Sequence, residues 1–205
     1  MKFLPGTSIA ALALALGLSA CDSKPAPTSA GASAGATTAT AAPLCTAPVS
    51  REIALTAPDA KDKLEAEAIG ADCSQAVIVF TLHNTAGKLM WTHAVEATNT
   101  WAFVPDQDNK PVPPADGVHR MMEEALKNAE LSRSKSAPDW PEGKERPEDP
   151  TGLFHVTEHP RGTYLDMRNK DLPMLCIDHR MGQRVCVVFD PMFPDLASEL
   201  YRSQS

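Results

Sequence analysis

The chain has 205 residues, with 26 acidic and 19 basic side chains, a formal charge of −7 and an isoelectric point near 5.3. That balance argues against a nucleic-acid partner and against holding an anionic membrane by charge alone, and it suits a basic protein partner. The five cysteines are the other compositional feature that constrains the reading.

The elements begin with an export-like segment. Lys2 supplies a positive start, and Ile9 to Leu18 is an apolar run of ten residues. This is too short for a bilayer core, which needs about 20 apolar residues. Leu18-Ser19-Ala20-Cys21 follows at once. The arrangement of an apolar run, a Leu, two small residues and a Cys resembles the lipobox of bacterial lipoproteins. The resemblance covers residues 1–21. It implies that residues 1–20 are a signal peptide, and that Cys21 is diacylated on sulfur, becomes the N-terminus and is then acylated on nitrogen. Two or three chains, at about 0.8 kcal/mol per buried CH₂, anchor stably where one is marginal. Asp22 resembles the inner-membrane retention signal of enteric lipoproteins, but sorting rules differ between bacteria. The expected location is periplasm-facing, anchored to the inner or the outer membrane. Once residues 1–20 are removed, 18 basic and 26 acidic residues remain.

Residues 22–43 are almost entirely Ala, Ser, Thr, Pro and Gly, a composition that cannot offset the entropy of ordering. They read, with Cys21, as a tether (21–43) with a reach of roughly 25 Å. Gly31-Ala32-Ser33-Ala34-Gly35 matches the hydrolase nucleophile elbow by letter. The elbow needs a strained strand-to-helix turn, so the match is chance.

Residues 44–205 fit a single domain. Arg51–Thr56 alternates as a strand. The β-branched run Ala76–Leu82 predicts a strand buried on both faces. Asn84–Gly87 is turn chemistry, and Lys88–Val95 returns with Leu89, Trp91, His93 and Val95 on one face. Trp101–Val104 is read as a further short strand. Val118, Met121, Met122, Ala125, Leu126 and Ala129 form one helical face, with Asp116 as cap after Pro113-Pro114. Ser132–Pro150 is a long polar loop with Trp140 at its middle, either folded back as a plug or exposed as a partner-binding anchor. Strands at Thr163–Met167, Met174–Asp178 and Arg184–Phe189 and a short helix from Asp195 to Arg202 complete the set. The fold class is α+β: an antiparallel sheet with one main amphipathic helix and a short C-terminal helix.

Beyond Cys21 the cysteines are Cys45, Cys73, Cys176 and Cys186. An even number in an oxidising compartment reads as disulfides, with three connectivities open. Cys176 and Cys186 flank the turn-like Arg180-Met181-Gly182-Gln183 and fall nearly opposite each other on paired strands. This favours Cys176–Cys186 and leaves Cys45–Cys73. The rival reading is a zinc site from Cys176, His179 and Cys186, with three ligands at an unusual spacing.

His155-Val156-Thr157-Glu158-His159 matches the H-x-x-E-H pattern of inverzincin proteases. That chemistry needs both histidines one turn apart on a helix. Pro160 turns His159 away from helical geometry, and Val156 and Thr157 favour a strand. On a strand the two rings lie roughly 13 Å apart and cannot share an ion. His83, His93, His119 and His179 show no nucleophile–base pairing. No phosphate-binding glycine motif and no C-x-x-C occur. No catalytic, metal or cofactor residue is therefore assigned, and the protein reads as a binding protein before an enzyme.

A small, acidic, disulfide-stapled domain behind a lipidated tether is similar in layout to immunity lipoproteins. The similarity implies a periplasmic protein partner, namely an antibacterial effector such as a cell-wall hydrolase that the domain binds and blocks. An envelope-assembly or secretion-system accessory has the same layout, and a metal-dependent hydrolase is the remote third reading.

Overall fold

The computed structural model describes residues 44–105, 108–150, 155–180 and 183–203. Cys21, the signal-like segment and the tether lie outside the described residues. The fold is α+β, with two antiparallel sheets, two helices and two disulfides.

The first sheet is a meander of β1 (Val49–Ile53), β2 (Asp62–Ile69), β3 (Val77–His83) and β4 (Leu89–Glu96), in that spatial order. Its inner face is set by alternation. Leu64, Ala66 and Ala68 of β2 and Ile78, Phe80 and Leu82 of β3 are all fully buried. The outer face of β3 is not buried as its apolar run predicts, and Val77 is 38% exposed. A bulge between Leu82 and His83 shifts the pairing so that Trp91 opposes Leu82 and Leu89 opposes His83. Leu89 thereby leaves the inner face that Trp91 shares with His93.

The second sheet has the order β5 (Glu130–Arg133), β7 (Pro173–Arg180), β8 (Gln183–Phe189), β9 (Ala197–Ser203) and β6 (His155–Val156). Here the continuous apolar runs do mean burial on both faces. Leu175 and Ile177 of β7 and Val185 and Val187 of β8 join the inner face of the first sheet in the larger core. Met174, Cys176, Cys186 and Val188 point the other way, into a smaller core closed by Trp140 and Tyr164.

Helix α1 (Pro114–Lys127) packs on β1, β2 and β7. Its predicted face is buried throughout, from Val118 to Leu126. The cap differs from expectation. Pro113 is the N-cap and Asp116 lies in the first turn, because Pro114 supplies a helix-ready φ at the first position. At the other end the Arg51 guanidinium donates to the carbonyls of Leu126, Lys127 and Ala129 at 2.7, 3.0 and 3.1 Å. A cation there satisfies last-turn carbonyls and opposes the helix dipole.

Three sequence readings are corrected. Residues 195–202 are not a helix: β9 fills the place beside β8, pairing Val185 with Arg202 and Phe189 with Ala197, and tertiary pairing overrides the helix formers Glu199 and Leu200. Thr163–Met167 is not a strand but the middle of α2 (Arg161–Asn169), started by Pro160, whose carbonyl accepts from the Tyr164 N–H. Trp101–Val104 is turn rather than strand. Strand β2 was not foreseen, because Ala, Glu and Lys are poor strand formers.

The disulfides are Cys45–Cys73 and Cys176–Cys186. Cys176 and Cys186 are direct Cα partners across the β7–β8 hairpin. Both are spent in the bond, which removes the thiolates that a zinc site with His179 requires.

Candidate functional site

The turns at one end of the two sheets come together. At this end the first sheet carries the β1–β2 connection (54–61) and the β3–β4 turn (84–88), and the second carries the β8–β9 connection (190–196). Lys88 pairs with Asp195 at 2.7 Å and ties a turn of one sheet to a turn of the other. Beside them is a groove of about 360 Å³, lined by Ala57, Pro58, Leu131 and Pro173 among others.

The β8–β9 connection places its apolar side chains outward. Met192 is 79% exposed, Phe193 65% and Leu196 56%, with Leu89 of β4 50% exposed at the same end. The segment is nevertheless fixed. The Phe193 N–H donates to the Asp190 carbonyl at 2.8 Å, the Leu196 N–H to the Phe193 carbonyl at 3.1 Å, and the Met192 N–H to Asp190 Oδ1 at 3.0 Å. Pro191 and Pro194 further restrict the backbone. The sequence reading of a helix from Asp195 to Arg202 misses this tip. The available signal was Met192-Phe193, two bulky apolar residues held between two prolines.

The opposite end receives the chain. Leu44 bridges Ile69 at the far end of β2, and the Cys45 N–H donates to the Ala68 carbonyl at 3.0 Å. Strand β2 separates the two ends by about 25 Å at the usual rise.

Trp140 is folded back. It is 8% exposed, its ring meets Tyr164 edge-on at 5.6 Å, and its indole N–H donates to the Lys144 carbonyl at 2.8 Å. The surrounding segment is held on α2. Arg161 donates to the Trp140 carbonyl, Arg168 to that of Ala137, and the Tyr164 hydroxyl to that of Pro138. The 132–150 segment, unlike a free polar loop, also contains a turn of 3₁₀ helix at Ser134–Ser136 and an Asp139–Glu148 bridge.

His155 and His159 have separate surroundings. His155 is buried on β6, with Nε2 3.7 Å from Asp149 Oδ2 and its ring edge-on to Tyr201 at 5.2 Å. Burial pushes its pKa down, against the pull of Asp149. His159 Nε2 instead meets the Glu199 carbonyl at 2.8 Å. An open cavity of about 660 Å³ adjoins His155, Tyr201, Arg168 and Arg184. Its arginines are engaged: Arg184 holds Asp178 at 2.8 and 2.9 Å and Glu130 at 3.0 Å, and Arg168 holds the Ala137 carbonyl.

No family model, curated relative or solved structure matches the chain.

A second histidine pair lies between the sheets. His93 stacks parallel on Trp91 at 5.8 Å, and its ring is 5.0 Å from that of His179. His93 Nε2 and His179 Nδ1 are buried without a hydrogen-bond partner. Burial, then His179 and Arg202, push the His93 pKa down to about 4, and burial lowers that of His179. Both rings pack as neutral groups. Among the described residues, no three His, Cys, Asp or Glu side chains gather as a metal-binding group. No helix among them is long and apolar enough to cross a membrane. The loop end is thus the place where exposed apolar surface, fixed backbone and an adjoining groove coincide.

Proposed function

We propose that the protein is a lipoprotein anchored through Cys21, facing the periplasm, that binds and blocks an antibacterial effector such as a cell-wall hydrolase. The observation that carries the reading is the fixed, exposed apolar tip. The chain from the tether enters at Leu44, and the fixed, exposed apolar residues Met192, Phe193 and Leu196 lie at the other end. Bulky apolar residues clustered on a polar surface mark protein contacts. The oxidised cysteine pairs are consistent with the periplasm.

The test is genetic. Deleting the gene should sensitise cells to an effector encoded beside it, and Cys21→Ala should release the chain from membranes and weaken protection. Unchanged survival together with co-purification of a stable membrane complex would replace this reading with an envelope-assembly accessory.

A further inference from the structure

We infer that the Asp190–Leu196 connection is the docking tip of this protein and that it inserts into a concave apolar pocket of a partner protein. The inference rests on the binding-protein reading above and names its contact. The tip is convex, a turn that carries Met192 and Phe193 at its crest. A convex apolar element needs a concave receiver to lose its water on all sides. Aromatic and methionine side chains so received make the dominant contacts of protein interfaces.

Two observations select a protein pocket. First, the tip is already ordered. Asp190 accepts from the N–H groups of Met192 and Phe193, and two prolines bracket the crest, so little freedom remains to be lost on binding.

Second, the charges do not suit a membrane. Residues 190–196 hold Asp190 and Asp195 and no Lys or Arg. The nearby lysines are engaged with these carboxylates, Lys88 with Asp195 at 2.7 Å and Lys170 with Asp190 at 3.5 Å. Segments that lie on anionic bilayers carry unspent basic residues.

The test places the photoreactive amino acid benzoylphenylalanine at position 193, and separately at the exposed position Leu44, in the full chain expressed in its own cells. The expected result is a crosslinked protein from position 193 and not from 44. That protein, identified and purified, should bind the full chain at least tenfold more weakly when Phe193→Ser is introduced, with an unchanged melting temperature. A product with phospholipid, a product with a second copy, the absence of a protein product, or unchanged affinity in Phe193→Ser would each overturn the inference. The outcomes separate it from the proposed function. If deleting the gene leaves survival unchanged while the crosslinked partner binds through Phe193, effector blocking falls and the tip stands. If the gene protects and Phe193→Ser protects equally, the tip falls and effector blocking stands.

Discussion

His93 and His179 face each other across the two sheets with ring nitrogens that no protein group satisfies. Each is tolerated there only as a neutral ring. With the folded pKa of His93 held at about 4 and an unfolded value near 6.5, the unfolded chain binds more protons between those two values. Stability is therefore full above about pH 6.5 and falls as the pH drops toward 4, by about 3 kcal/mol for this site. His179 shifts in the same direction. Urea midpoints at pH 7 and 4.5 should show a smaller acid loss in His93→Leu than in the natural chain; equal losses would place the acid sensitivity elsewhere. Asp62 is a second buried polar group, but a satisfied one. It accepts from the Leu55 and Thr56 N–H groups at 3.0 and 2.7 Å and from the Thr56 hydroxyl at 2.9 Å. Asp62→Ala strands these donors and should cost about 2–3 kcal/mol in urea unfolding at pH 7.

At the scale of elements, α1 and α2 answer the same substitution in opposite ways. A Cβ on Gly117 would lie 2.2 Å from the Ala102 carbonyl oxygen, so the close approach of the 102 turn to α1 depends on the missing side chain. Gly117→Ala should lower stability by about 1–3 kcal/mol despite alanine's better helix propensity. Gly162 in α2 has open space around its Cβ position, and Gly162→Ala should raise stability by about 0.5–1 kcal/mol. Thermal unfolding of the two variants checks both signs. The elements also show what the sequence made legible. Helix α1 was readable because its buried residues repeat at helical spacing, and the β7–β8 hairpin because its cysteines sit opposite one another. Strand β9 and helix α2 were not, because their local preferences conflict with the places that β8 and Pro160 impose. Trp140 was legible only as a choice between plug and anchor, which depended on the distant residues Tyr164 and Arg161. The apolar tip was hidden because exposure is a property of the folded ends, not of the letters Met192-Phe193.

For the whole molecule, the two disulfides staple different places. Cys45–Cys73 fixes the end where the chain enters and closes 28 residues, while Cys176–Cys186 closes ten within one hairpin. In the chain-entropy account the first is worth about 3–4 kcal/mol and the second about 2–3 kcal/mol. Replacing each pair by alanines should therefore lower the urea midpoint more for the 45–73 pair, and the reverse order would show that native-state packing around the buried hairpin bridge dominates. Within the domain the stapled entry and the apolar tip lie at opposite ends. The most direct test is survival of gene-deleted cells challenged with the neighbouring effector and complemented by the natural chain, by Phe193→Ser at the distal tip or by Leu44→Ser at the entry. The account predicts that Leu44→Ser protects like the natural chain and that Phe193→Ser does not; equal protection by all three would contradict it.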